Sequence, residues 1–195
     1  MRRSNPPIYS QSYLNVGNGM PVILLHGLFG NLVMWKSTIE ALRSEFRVVV
    51  PRLPIFDLPI QHTNVKYLAG ILHEFIDWHQ LSNVTLVGHA LGGQVALLYA
   101  AQHPANVQKI ILTASSGLVE NYPMMQHPAG FDDFNVIQEH VSAAFFEPGK
   151  TPVELVNDIF STVKNIPKRL TLNTLSRSSR QSNVASLLNR LDHST

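Results

Sequence analysis

Leu86-Val87-Gly88-His89-Ala90-Leu91-Gly92-Gly93-Gln94 joins an apolar run to a stretch with helical spacing. Val84-Thr85-Leu86-Val87 has the apolar character of a strand buried on both faces. Gly88 begins a sharp turn, and a helix is expected from about Leu91 to His103, ended by Pro104. Glycines on both sides of position 90 let two backbones approach where a Cβ would clash. Strand, tight turn and helix in that order form half of a parallel βαβ unit.

The same rhythm extends in both directions. Gly17-Asn18-Gly19 supplies a first turn, and Val22-Ile23-Leu24-Leu25 reads as a buried strand ended by His26-Gly27. Leu32, Trp35, Ile39, Leu42 and Phe46 recur at three and four residues and predict an amphipathic helix. Arg47-Val48-Val49-Val50 is the next strand, stopped by Pro51 and Pro54. Asn64 is placed to cap a helix running to Leu81, with Leu68, Leu72, Phe75, Ile76 and His79 on one face. Lys109 to Thr113 is a further strand. After Ser115-Ser116-Gly117 the strands stop. Thr151-Pro152-Val153-Glu154 reads as a capping box, and Ile159, Val163, Ile166, Leu170, Leu175, Val184, Leu187, Leu188 and Leu191 continue the helical spacing. The expectation is an α/β protein: a mostly parallel sheet flanked by helices, with an inserted helical cap. Residues 1–119 form the core part and 120–195 the cap or lid region, with no internal repeat.

Composition narrows the function. Of 195 residues, 45% are apolar and 14% charged, well below the roughly 25% charged of an average soluble chain, so the sequence is built to bury a core rather than to stay disordered. No apolar run approaches the ~18 residues of a membrane span. Arg2 and Arg3 are followed by the polar stretch Ser4 to Ser10, so no signal peptide is expected. Cysteine is absent, which excludes disulfides, thiolate metal sites and a cysteine nucleophile and tilts the expected location toward the cytoplasm. The net charge is only +2. Lys164, Lys168, Arg169, Arg177, Arg180 and Arg190 gather late in the chain without interleaved aromatics, the pattern of solvated helix faces. Neither a nucleic-acid nor a membrane partner is expected. His73, Asp77 and His79 share a helix, but a zincin needs a second His where Asp77 stands, so no metal is expected and no cofactor is implied.

Gly88 to Gly92 resembles the nucleophile elbow G-x-S-x-G of the α/β-hydrolase family, with Ala90 in the place of the serine. His26-Gly27-Leu28-Phe29-Gly30 resembles the oxyanion loop of the same family. Each motif follows an apolar strand, and they come in the family's order. A dinucleotide turn is the competing reading, and it lacks the spacing G-x-G-x-x-G. The resemblance runs from Val22 to Asp192. It implies that Ala90 holds the nucleophile position and that the backbone amides of Leu91 and Leu28, with Phe29 as fallback, form an oxyanion hole. It also implies that His26 supports the loop, His89 packs beside the elbow, and Gly27, Gly88 and Gly92 allow the close approach. Phe29, Phe145 and Phe146 are candidate substrate contacts, with Phe131 and Phe134 beside them, against the alternative of plain cap packing.

Three features depart from the family pattern. The nucleophile is missing, and Arg52 stands where many relatives carry an acidic residue. Third, the chain stops at Thr195, before the family's last strands, so the implied sheet is incomplete at its C-terminal edge, and the family's acid and histidine follow the cap. No substitute completes a triad. His103 reads as a cation at a helix C-terminus, Asp57, Asp132 and Asp133 as turn formers or caps, and Ser115 and Ser116 lack a base. Leu91 favours serine over aspartate as the ancestral residue, since dehalogenase-like relatives carry Trp after the nucleophile. The resemblance therefore implies a hydrolase of an ester or C–C bond in a small apolar substrate, by a Ser-His-Asp mechanism disabled at Ala90. Two alternatives stand beside it. One is a natural pseudo-hydrolase that binds a ligand or signals. The other is a fragment that self-associates or is completed by a second chain along the open edge after Ile110 to Thr113.

Overall fold

The computed structural model describes residues 12–30, 32–118, 133–143, 145–182, 184 and 187. Arg2, Arg3, Phe131, Asp132, Leu188, Arg190, Leu191 and Asp192 lie outside them. Five strands form one sheet: β1 (Tyr13–Val16), β2 (Pro21–Leu25), β3 (Arg47–Pro51), β4 (Val84–His89) and β5 (Val107–Thr113), in the order β1-β3-β2-β4-β5. β1 runs antiparallel to β3, and the other pairs are parallel. The turn at Gly17 to Gly19 requires φ values of +78° and +105° at its two glycines. A side chain at Gly17 would also run into the carbonyl of Phe46.

Alternation along the strands sorts the core into two layers. Ile23, Leu25, Val49 and Leu86 face one side, where they join a large apolar cluster with α2 (Val65–Trp78) and α3 (Leu91–Gln102). Val22, Leu24, Val48, Val50 and Val87 face the other, against Trp35, Ile39 and Leu42. The stripe expected from Leu32 to Phe46 does pack there, as a 3-10 turn (Leu32–Trp35) followed by the short helix α1 (Lys36–Leu42). Asn64 caps α2 by accepting from the amide of Tyr67 at 2.9 Å. α3 is buried from Leu91 to Ala100, as expected of a helix apolar on every side.

Local rules gave way to context at two places. Pro51 does not stop β3. It pairs with Tyr13 across the antiparallel side, and because β2 pairs with β3 only as far as Val49, no hydrogen bond is asked of the missing N–H. The expected capping box does not form either. The Thr151 hydroxyl donates to the carbonyl of Pro148 at 2.8 Å, and α5 (Val153–Lys164) starts with Pro152 at its cap position. A short Pro148–Lys150 turn has taken the hydroxyl first.

Beyond β5 the described residues form no strand. α4 (Phe134–Ser142), α5 and α6 (Ile166–Gln181) pack against one another and feed Ile137, Val141, Val156, Ile159, Val163, Leu172 and Leu175 into the same cluster as α2 and α3. Asp133 caps α4 through the amide of Asn135. Among the described residues no helix is long and apolar enough to cross a membrane. β5 is an edge strand, and its Ile111 is 49% exposed.

Candidate active site

The turn between β4 and α3 brings together most of the residues singled out in the sequence. Ala90 caps α3 with φ +50° and ψ −117°, a left-handed conformation that a residue with a Cβ adopts only under strain. Both of its backbone groups are tied to the exit of β5: its N–H donates to Thr113 at 3.1 Å, and its carbonyl accepts from Ser116 at 3.1 Å. Glycines make the crossing fit. A Cβ on Gly92 would collide with the carbonyls of Leu25 and His26, one on Gly88 with the backbone of Gly93, and one on Gly93 with the Ser115 hydroxyl at 2.6 Å.

The loop after β2 abuts this turn. A Cβ on Gly27 would lie 3.1 Å from the Cβ of Ala90 and 3.1 Å from Nδ1 of His89. The loop closes on itself through Gly30 N–H to Gly27 O at 3.1 Å, a four-residue turn that leaves the amides of Leu28 and Phe29 outside that bond. Leu91 opens α3, so its N–H has no acceptor within the helix and carries the partial positive charge of the helix start. The geometry thus offers backbone donors around position 90, and the side chain there supplies no oxygen.

His26 anchors the loop. Its Nε2 accepts from the amide of Leu53 at 3.0 Å while its Nδ1 lies 2.8 Å from Gly27 O, which fits a neutral ring protonated at Nδ1. Burial lowers its pKa, opposed by the bond to Gly27 and assisted by the Arg52 charge. Arg52 itself forms a half-exposed ion pair with Asp57 at 3.0 Å. Burial lowers the pKa of His89, and its buried Nδ1 has no partner among the described residues. Ser115 donates to the carbonyl of Ser116 at 3.1 Å. Phe29, Phe134 and Phe145 pack against the main cluster, whereas the Phe146 side chain stands fully in solvent and contacts no part of the site. Phe146 immediately follows Phe145 in a bend, and only Phe145 turns inward.

The other histidines lie elsewhere. His103 is not a helix-terminal cation: its ring stacks on His73 at 4.1 Å and 9°, and burial followed by the His73 charge lowers its pKa. The pair borders a cavity of about 450 Å³ with Asp77, Tyr99 and Asn106, at the end of the sheet where β4 and β5 begin, opposite Ala90. His79 points away from it, against Tyr13 and Phe75. Among the described residues no group of three or more metal-ligating side chains could hold an ion.

Local sequence pattern gives no role to one residue at the site. Gln94 is wholly buried one turn below Ala90 and hydrogen-bonds to the end of α6. Its signal in the sequence is a lone amide in the otherwise small and apolar run from Leu91 to Ala101.

Comparison with known proteins agrees with this architecture. The family model described as alpha/beta hydrolase fold matches residues 20–183. The chain belongs to the α/β-hydrolase family. It is 28% identical over 125 residues to the hydrolase YugF of Bacillus subtilis, covering 62% of this chain and 44% of that protein. Against monoacylglycerol lipase abhd6-A of Xenopus laevis it is 32% identical over 113 residues, 55% of this chain and 33% of the relative. The crystal structure of MGS-MChE2, an α/β hydrolase from a Moroccan lagoon-sediment metagenome, matches with TM-score 0.69 and 28% identity, over 89% of this chain and 64% of that one. The matches thus span between a third and under half the length of these curated relatives.

Two outcomes follow from the strain and the charges. Ala90→Gly removes the Cβ from a left-handed position and is expected to raise the unfolding free energy by about 1 kcal/mol in urea titration, with a lower midpoint counting against strain at this residue. His26, His79, His89 and His103 all bind a proton less readily in the fold than an ordinary histidine near 6.5. The unfolded chain therefore takes up more protons as pH falls below about 6.5, and stability, fully present above that value, declines on acidification toward the folded pKa values. Urea midpoints at pH 7.5 and 5.5 check the sign.

Proposed function

We propose that this chain forms the elbow and cap of a hydrolase acting on an ester of a small apolar substrate, and that as written it binds without turning over. The observation that carries the reading is the strained backbone of Ala90, held between the exit of β5 and the start of α3 with the Gly27 to Gly30 loop against it. Such strain is usually found where a reacting group must be presented. Leu91 and Leu28, with Phe29 as fallback, supply the amide donors for a carbonyl oxygen that gains charge during acyl transfer. Phe29 and Phe145 supply apolar contact for the substrate. Ester chemistry is favoured over C–C cleavage by the relative named as a monoacylglycerol lipase.

Without an oxygen at position 90 the donors still bind a carbonyl, but no acyl-enzyme forms. Loss of a serine nucleophile costs on the order of 10⁶ in turnover while leaving binding in place. In this chain p-nitrophenyl butyrate is expected to bind with no p-nitrophenolate release above the solvent rate. Ala90→Ser, placed in a chain that also carries a triad acid and histidine, is expected to restore release. A folded serine variant that binds the ester and stays inactive overturns the hydrolase reading in favour of a ligand-binding protein.

The open edge of β5, with Ile111 half exposed, supports a second reading in which another copy or a second chain pairs there. Size-exclusion chromatography coupled to light scattering is then expected to give a mass above 21.7 kDa. A strict monomer sinks that partner.

A further inference from the structure

We propose that Gln94 is a positioning residue that caps the C-terminus of α6 from another helix and so fixes the end of the helical cap against the turn that carries Ala90. The proposal deepens the reading above, and only its ligand arm rests on that reading.

A glutamine side chain has one acceptor oxygen and two N–H donors. In Gln94, at 0% exposure, all three are committed to one place. Its Nε2 donates to the carbonyls of Ser179 at 2.9 Å and Ser182 at 2.8 Å, and its Oε1 accepts from the Ser179 hydroxyl at 2.6 Å. The last carbonyls of a helix have no intrahelical donor and need one from elsewhere. α6 ends at Gln181 without a glycine cap: the Ser182 amide closes back on the carbonyls of Ser178 at 3.0 Å and Ser179 at 3.3 Å, and the further donor to Ser179 and Ser182 comes from a side chain 85 to 88 residues away in sequence.

Surrounding contacts tie this cap to the active-site turn. The Gln94 amide reaches the carbonyl of Ala90 at 3.3 Å, so it belongs to the first turn of α3. Gly117, at φ +80°, lies so close that a Cβ there would come within 2.5 Å of the Gln94 Nε2, and its carbonyl accepts from Val184 at 3.1 Å just beyond α6. On the other side the Ser178 hydroxyl accepts from the first amide of α2, Val65, at 3.1 Å. The starts of α2 and α3 thus each bond to the last turn of α6.

An apolar residue at position 94 would suit a buried helix equally well. The amide instead specifies where α6 must end, because any displacement strands a buried donor pair. Since these bonds are few, the end of α6 opens locally while the sheet stays folded.

Hydrogen exchange on the full chain, without ligand, tests this directly. Gln94→Leu is expected to speed exchange at the amides of Ser182 and Val184 about 10-fold and tryptic cleavage after Arg177 and Arg180 by a similar factor, with Ile23 and Leu86 unchanged. Unchanged rates at Ser182 and Val184, or equal acceleration in β2 and β4, overturn the proposal. Ser179→Ala removes only the hydroxyl, serves if Gln94→Leu fails to fold, and is expected to give a smaller rise at the same two amides. A rise elsewhere, or none, again overturns it. Combined, the two substitutions are expected to add less than their separate effects, as partners in one network do. With p-nitrophenyl butyrate present, exchange at Val184 is expected to slow in the parent chain and not in Gln94→Leu. A parent chain that does not bind the ester overturns the acyl-ligand reading alone, since the ligand-free rates decide Gln94 by themselves.

Discussion

Everything in this molecule hangs on how closely the first turn of α3 passes over the end of β2. At Gly92 the backbone rests on the carbonyls of Leu25 and His26 with no room for a methyl group, while Gly88 lies as tightly against Gly93, and Gly93 against Ser115 beyond β5. That approach forces the chain to reverse within one residue between β4 and α3, and Ala90 takes up the left-handed conformation. Strain of roughly 1 to 3 kcal/mol at such a residue persists because the surrounding bonds to Thr113 and Ser116 leave it no alternative. The close crossing also explains why α3 is buried on every side and why its neighbours are so often glycine or alanine.

Charge plays little part at this turn. His26 and His89 are both pushed toward their neutral forms by burial, and the ion pair of Arg52 with Asp57 is half exposed. What polarity the site has comes from backbone amides: the opening of α3, and the loop that His26 holds by receiving the Leu53 amide. Amides fixed by secondary structure need no reorganisation when a carbonyl oxygen approaches, which is the property an acyl-binding site requires.

The helical segment is bound to this core twice over. Ile137, Val156, Ile159 and Leu175 share an apolar cluster with Leu28 and Leu91, and Gln94 adds a directional polar tie at the end of α6. Apolar contact holds the helices near the site without fixing their register, since burial is non-directional. Hydrogen bonds made away from water carry the geometry.

Periodicity and punctuation in the sequence sufficed for the strands from β2 to β5, the cap of α2 at Asn64 and the glycine-bracketed turn at Ala90, because each depends on neighbours within a few residues. The same local rules failed where a distant or competing partner intervened. Thr151 bonded to Pro148 rather than starting α5, Pro51 stayed in β3 because β2 had already ended, and His103 stacked on His73 instead of acting as a lone cation. Phe145 and Phe146 could not be told apart until a bend turned one inward and the other out. Local pattern along the chain was enough for the order of strands and helices, the tight turn and the missing oxygen at position 90. That Gln94 grips α6, that His26 receives Leu53, and which faces meet emerge only in the folded chain, because those bonds join residues 27 to 88 positions apart and no local pattern encodes contacts over such separations.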